Sequence, residues 1–437
     1  MITEKDILNA LKSIIDPDFQ KDIVSLGFVK NIKIDGNDVS CDIELTTPAC
    51  PVKSEFQQKA QDAIKSLGAK KILVQMTSSP KTTTQSTQNF KTTLSSVNAI
   101  IAVSSCKGGV GKSTVAACLA KELSQRGFKV GLLDADIYGP SIPTLFNLKK
   151  QDVLTNEKDE IIPIEVDGLK IMSFGFLLGD SPAVLRGPIV SSYIQQLLHK
   201  TNWGKLDYLF IDFPPGTGDI QLTITQSARL TGAVIVTTKQ TLSLVDVARG
   251  ILMFEKVSVP MLGIIENMSY FECAKCQTKH YIFGGSEEEE INTRFGLEIL
   301  AKLPIMPDLT GQFDRTIKNS AISHAVDRVV MSLGRSFLSH KVIPKAEFDK
   351  EKTVLVWPDG KSLSVGNFEL RLNCQCALCV NEFSGKKTLT ADHIKKDIMP
   401  QSIIPLGNYA INVIWNDGHS SSIYPYADIE KLASAKA

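Results

Sequence analysis

A chain of 437 residues exceeds what one compact core holds, so two or three domains are expected. Hydrophobic residues at 43% and charged ones at 22% are the proportions of an ordinary soluble protein, and no run of about 18 apolar residues is there to span a membrane. Lysine plus arginine (48) nearly cancels aspartate plus glutamate (47), which argues against a general nucleic-acid binder.

Thr3, with Asp6 three residues on, opens a helix whose apolar stripe is Ile7, Leu8, Leu11, Ile14 and Ile15, and Asp16 to Asp18 ends it. Strand-like runs follow at Phe28 to Ile34 and Val39 to Leu45, around the turn Asp35 to Asp38. A helix over roughly Val52 to Leu67 and a strand over Ile72 to Met76 complete a small α/β unit, residues 1–77. Through Asp16 to Asp18, Leu26 to Val29 and Thr46 to Pro51, this unit resembles the domain of cytosolic iron-sulfur targeting factors and phenylacetyl-CoA-oxygenase maturation proteins. Cys50, between prolines, is either a thiol of lowered pKa that handles clusters or a small packed residue. Residues 78–97, almost all polar, read as a flexible linker.

From 98 to 335, apolar strand-like runs alternate with helical ones, which predicts an α/β fold: a mostly parallel central sheet with helices on both faces. Its first strand, Ala99 to Val103, runs into Lys107, Gly108, Gly109, Val110, Gly111, Lys112, Ser113 and Thr114 and then a helix. Free N–H groups and the positive helix end converge there, which suits a phosphate. Lys112 would reach the β- and γ-phosphates of ATP, and the Ser113 hydroxyl would sit on Mg²⁺. Two later strands end in carboxylates, Asp134 and Asp136 after Lys129 to Leu133, and Asp212 after Tyr208 to Ile211. Strand ends of this kind line the ligand crevice, where they would face Mg²⁺ and the attacking water. Further on, Ser286 with Glu289 forms a capping box.

The loop breaks the ordinary G-x-x-x-x-G-K-[ST] pattern, because Cys106 stands at its first glycine and Lys107 adds a second lysine. This resembles the deviant phosphate loop of the MinD/ParA/nitrogenase-iron-protein class of dimeric ATPases, which implies that Lys107 reaches the nucleotide of a partner subunit. Asp134 to Ser141, Leu185 to Pro188, Pro214 to Asp219 and Ile264 to Ser269 followed by Cys273 and Cys276 together resemble the Mrp/ApbC family of iron-sulfur cluster carriers. The resemblance implies that Asp136 positions the hydrolytic water, that Asp134, Ser113 and Asp212 serve Mg²⁺, and that Asn267 lies near the adenine. Lys239 departs from that pattern where proline is usual, as Cys106 does where glycine is. Cys106 reads either as a redox-sensitive thiol beside phosphate or as a tolerated small residue.

Nine cysteines are an odd number, and tight pairs in a chain without a visible secretion signal read as metal or cluster ligands before disulfides. A [4Fe-4S] cluster commonly takes four thiolates, and Cys273 with Cys276 supplies two, so a two-fold homodimer would complete the set. Zinc between subunits and a redox dithiol are the alternatives at this pair.

Residues 336–352 read as a second linker. The last region, 353–437, carries Val354 to Trp357 with the turn Pro358 to Gly360, and Val413 to Trp415 with Asn416 to Gly418, which suggests hairpins in a small β-rich domain. Between them Cys374, Cys376 and Cys379, with His419 in Trp415 to His419, resemble the N-terminal domain of γ-butyrobetaine-hydroxylase-like proteins, which implies a structural Zn²⁺ site. His393 is the other candidate ligand, and an iron-sulfur cluster the other candidate cargo.

The domain order resembles the high-chlorophyll-fluorescence type of Mrp scaffold. It implies an ATP hydrolase that assembles [4Fe-4S] clusters and transfers them to apo iron-sulfur proteins. Plant members carry a transit peptide and none is visible here, so a cytoplasmic protein is expected, with no nucleic-acid or membrane partner. The competing reading is a ParA/MinD-like spatial organiser on membrane or DNA, and a nitrogenase-like reductase is a third. Against the organiser, Ala427 to Ala437 is short and weakly amphipathic, and the net charge is +1.

Overall fold

The computed structural model describes residues 2–17, 21–47, 49, 53–78, 93–148, 152–178, 187–216, 218–239, 244–273, 275–283, 294–305, 313, 319–339, 343–376, 378–380, 386–407 and 409–434. Cys50, Arg186, Ser286, Glu289 and most of the 78–97 stretch lie outside these residues. The chain forms two compact units, Met1–Asn89 with Asp327–Leu338, and Phe90–Val326 with Ser339–Ala437.

In the first unit, α1 (Glu4–Leu11) starts as its sequence dictates, with Thr3 and Asp6 exchanging hydrogen bonds in a capping box. It stops a turn earlier than the apolar stripe implies. Asp16 precedes a proline and is held out of the helical region, so Ile15 and Asp16 form a short strand β1 paired with β2 (Lys21–Asp22). Ile15 is consequently 51% exposed, while Ile7, Leu11 and Ile14 are buried. Next come β3 (Val29–Asp35) and β4 (Asp38–Leu45), an antiparallel hairpin, then α2 (Lys53–Ser66) and β5 (Lys71–Ser78), parallel to β4. Phe56, Ala60 and Ile64 of α2 close the core over Ile43 and Val74. At Gly334 a β-carbon would come within 2.6 Å of Thr46 Oγ1, so only glycine lets the helix backbone this close.

The second unit begins with β6 (Val97–Ser104), α3 (Lys112–Gln125), β7 (Val130–Asp134), α4 (Ile142–Leu145), β8 (Ile164–Val166), β9 (Leu169–Ser173), α5 (Gly175–Leu178) and α6 (Gly187–Lys200). It continues with β10 (Leu206–Asp212), α7 (Asp219–Ser227), β11 (Gly232–Thr237), α8 (Leu244–Lys256), β12 (Met261–Glu272), β13 (Lys279–His280), β14 (Ile299–Pro304) and the start of α9 (Ser320–Ser339), whose residues Asp327–Leu338 belong to the first unit. The sheet runs β8-β9-β7-β10-β6-β11-β12-β14, parallel except at β8, with β13 folded back on the end of β12. Buried on both faces, its central strands are near-continuous apolar runs with polar residues toward their ends. Ile100, Ala102, Leu209 and Ile211 pack with residues of α6, α7 and α8, and alternation turns Ile101, Val103, Tyr208 and Phe210 to the opposite face. Strand order reverses around β6 and β10, and the crevice beyond their carboxyl ends is where ligands bind in such sheets.

A first three-stranded sheet of the C-terminal region comprises β15 (Lys345–Phe348), β16 (Lys352–Val356) and β17 (Ser362–Gly366), followed by α10 (Asn367–Leu372). A second comprises β18 (Pro400–Leu406), β19 (Ala410–Trp415) and β20 (Ser422–Pro425), followed by α11 (Tyr426–Ser434). Strand β15 lies inside the stretch read as a linker, because Ala346 pairs with Leu355 and packs on the core there. Leu406, Ala410 and Ile423 join the same apolar cluster as Phe254, Phe295 and Leu297. Tyr409 donates to Glu255 Oε1 on α8 at 2.9 Å, so this region and the sheet share one core. Among the described residues no helix is long and apolar enough to cross a membrane.

Candidate functional site: a phosphate loop, a thiol hairpin and a Cys3His centre

The carboxyl end of β6 delivers the loop Ser105–Gly111 onto the start of α3. Gly109 (φ +83°) and Gly111 (φ +78°) adopt the left-handed backbone that lets the loop curl. Gly108 and Gly109 are exposed, Val110 is buried, and Ser113 and Thr114 are half-buried on the first turn of α3. Lys112 is buried, with Nζ 2.5 Å from Asp212 Oδ1, 3.3 Å from Ser113 Oγ and 3.9 Å from Asp136 Oδ2. Lys107 points the other way, into solvent, and makes no ion pair among the described residues.

The three expected carboxylates do converge here, but they differ. Asp134 is spent on the fold: it accepts from the backbone N–H groups of Asp136 and Ile142 and from Ser173 Oγ, at 3.0–3.1 Å. Asp136 accepts from Gly139 N at 3.2 Å. Asp212 is fully buried, and its Oδ2 has no hydrogen-bond partner. Burial pushes Asp134 and Asp212 up, and Lys112 only partly offsets it. One ammonium beside three carboxylates, with an orphaned oxygen among them, is a donor set that fits Mg²⁺ on a nucleotide.

Asn267, expected near the adenine, is packed against the loop itself: Nδ2 donates to Val110 O at 2.9 Å, and it fills the space a β-carbon on Gly111 would take. Cys106 is the small-residue case. Its sulfur packs on Gly250 of α8, and burial pushes the thiol up to about 12, far from the thiolate a redox sensor needs.

Five positions after Asn267, β12 ends and the chain turns through Cys273 and Cys276 into β13. Cys273 N donates to Thr278 O at 3.1 Å and Gln277 N to Cys273 O at 2.8 Å, which closes a short hairpin loop. Cys273 is half-buried and Cys276 exposed; hydrogen bonding from Thr278 and then Cys273 lowers the Cys276 thiol. Exposed Phe271, Tyr281 and Ile282 surround the pair in sequence.

Cys374, Cys376, Cys379 and His419 form the third centre, with all four donor atoms within 4.8 Å of one another. His419 Nε2 lies 3.4, 3.3 and 3.8 Å from the three sulfurs. Tetrahedral zinc with bonds of about 2.3 Å to sulfur and about 2.0 Å to nitrogen would set this separation at about 3.6 Å. The ligands of a four-iron cube project outward from its corner irons and so stand farther apart than the cube is wide, whereas these donors all lie within 4.8 Å of one another. His393 is elsewhere, bonded to Thr390. Sequence reasoning missed the supporting shell. Arg371 donates to Cys379 Sγ (3.4 Å) and Asp417 Oδ2 (2.9 Å), Asp417 Oδ1 accepts from His419 N (3.0 Å), and Ser422 Oγ accepts from Cys374 Sγ (3.6 Å). The available signal was a charged residue set between leucines just ahead of the C-x-C.

A parallel strand feeding a glycine loop onto a helix, with aspartates on the neighbouring strand ends, defines the P-loop NTPase class. Residues 96–334 match the family described as NUBPL iron-transfer P-loop NTPase, residues 4–74 the iron-sulfur cluster assembly protein family, and residues 345–429 the gamma-butyrobetaine hydroxylase-like N-terminal family. The Fe-S cluster assembly factor HCF101, chloroplastic, of Arabidopsis thaliana is 42% identical over 450 residues, covering 98% of this chain and 83% of that one. The iron-sulfur cluster carrier protein of Synechocystis sp. is 43% identical over 311 residues, covering 70% and 88%. Among solved structures, the nucleotide-binding protein in complex with ADP from Archaeoglobus fulgidus is 40% identical, covers 55% and 89%, and has a TM-score of 0.45. The chain belongs to the NUBPL iron-transfer P-loop NTPase family, in the three-domain layout of the HCF101 relatives.

Proposed function

We propose that this protein is an ATP-dependent iron-sulfur cluster carrier that works as a homodimer in the cytoplasm, holds a [4Fe-4S] cargo between two Cys273/Cys276 pairs, and delivers it to apo iron-sulfur proteins. The observation that carries the reading is the run of β12: it supplies Asn267 to the phosphate loop and ends one residue before Cys273, with the exposed Cys276 three positions further on. Two thiols at a hairpin tip are half of a four-sulfur set, and among the described residues they are not part of any cluster of three or more donors, which supports a shared, releasable cargo. The relatives' names, iron-sulfur cluster carrier protein and cluster assembly factor, support the same function.

At the nucleotide, Lys112 and the loop N–H groups bind the phosphates. Ser113 and Asp212 would hold Mg²⁺, which would supply charge neutralisation at the phosphate oxygens. Asp136 orients the attacking water, and Lys107, free of local pairing, is left to reach a partner's nucleotide. Asp134, tied to Ser173 and two backbone N–H groups, fixes the strand end rather than meeting the metal directly. The slow turnover expected of such a carrier fits hydrolysis that serves opening and closing. The Cys3His centre holds a resident zinc. The test is anaerobic reconstitution with iron and sulfide. Cys273→Ala should abolish the visible absorbance of the bound cluster while Cys376→Ala retains it, and full absorbance in Cys273→Ala would refute the assignment.

A further inference from the structure

The peptide between Val110 and Gly111 is planar, so its C=O and N–H point to opposite sides. Asn267 Nδ2 holds the Val110 oxygen at 2.9 Å from the β12 side, which turns the Gly111 N–H away from β12. Asn267 is only 4% exposed and lies in the space a Gly111 side chain would need, with Met268 Cε next to it. Immediately after it the strand is broken: Met268 has φ +54°, costly for an unbranched L-residue, and the β12–β14 register shifts between Glu266 and Tyr270. Ser269 Oγ bonds Glu266 Oε1 across that break at 2.6 Å. Beyond it, about 16 Å of extended chain leads to Cys273.

We propose that Asn267 is a positioning residue that holds the loop through Val110 instead of reading the base, and couples the nucleotide site to the Cys273/Cys276 hairpin along β12. Phosphates drawing on the Gly111 N–H rotate the peptide whose oxygen Asn267 grips, and the break at Met268 is where that rotation enters the strand. The inference rests on the carrier reading for its purpose, but the coupling is measurable without any cluster.

The test uses the cluster-free full chain with Mg²⁺ and measures nucleotide affinity, for ATP and for GTP, together with the alkylation rate of the 273/276 thiols by iodoacetamide. Wild-type thiols should change rate several-fold on adding ATP. In Asn267→Ala, ATP and GTP should weaken alike, by about tenfold for one buried hydrogen bond, and the thiol response should vanish. Asn267→Ser, a milder change that keeps a hydroxyl donor, should recover part of both and carries the test if the alanine variant unfolds. Weakening confined to ATP would make Asn267 an adenine contact and overturn the inference. So would a thiol response that survives in both variants, or one missing from wild type. Failure of iron and sulfide to assemble on the wild type would instead defeat the carrier reading, leaving these nucleotide and thiol results to stand.

Discussion

The chain builds two sulfur sites on opposite plans. At the Cys3His centre four donors from one chain converge within 4.8 Å, with Cys374 and Cys379 buried and Arg371, Asp417 and Ser422 bonded behind the ligands. At the end of β12 two thiols stand at a hairpin tip, one of them exposed, and on the proposed reading a partner subunit supplies the remaining ligands. Closed coordination with a bonded second layer holds a metal for the life of the fold, whereas open coordination on a surface turn lets its cargo leave. The difference lies in what surrounds the sulfurs, since both sites use the same side chain.

The contrast is most exposed to failure at the buried site. Cys379→Ser should release the metal and melt the C-terminal region, a loss of about 5 kcal/mol or more, because metal binding there is folding energy. Metal content by atomic absorption with thermal unfolding checks it, and an unchanged melting curve would make the centre dispensable. At the hairpin the same type of change should be nearly silent for folding: Cys276→Ser is expected to move the midpoint by no more than about 0.5 kcal/mol while cluster uptake is lost.

Between these in size is Glu255, which joins the C-terminal region to the nucleotide sheet. Burial raises its carboxyl to about 7 from an ordinary 4.5, more than the Tyr409 hydrogen bond lowers it. The folded chain therefore binds this proton more tightly than the unfolded one. Its contribution to stability is full below pH 4.5 and is lost as pH rises to about 7. Glu255→Gln, which keeps an acceptor for Tyr409, should remove that decline and stabilise the protein above pH 7 by up to about 3 kcal/mol. Denaturant midpoints between pH 5 and 8 measure it, and parallel curves for the two proteins would show that Glu255 is not held this way. The smallest expected effect is at Cys106: with its thiol packed on Gly250, Cys106→Gly should leave the response of ATP turnover to oxidant unchanged.

The phosphate loop was legible because its work is done by backbone. Glycines where φ must be positive, an apolar strand before them and a helix after them are local demands that any reader of the residues can see. The strand-end aspartates were legible for the same reason, and the C-x-C-x-x-C because its three sulfurs are neighbours in sequence. Where local rules collided, the reading slipped: Ile15 belonged to the helical stripe by period, but the proline after Asp16 ended the helix first. Arg371 and Asp417, 46 positions apart, could not be paired from spacing, and neither could Glu255 with Tyr409.

By itself, the sequence determined the order of strands and helices, the phosphate loop, and the grouping of Cys374, Cys376 and Cys379. Only the tertiary structure decided that Asp134 is consumed by the fold while Asp212 keeps a free oxygen, that Asn267 grips the loop, and that His419 rather than His393 faces the sulfurs. The reason is physical. Turns, caps and glycine conformations are fixed within a few bonds, whereas the partner a buried polar atom finds depends on which distant strands the shared core brings together.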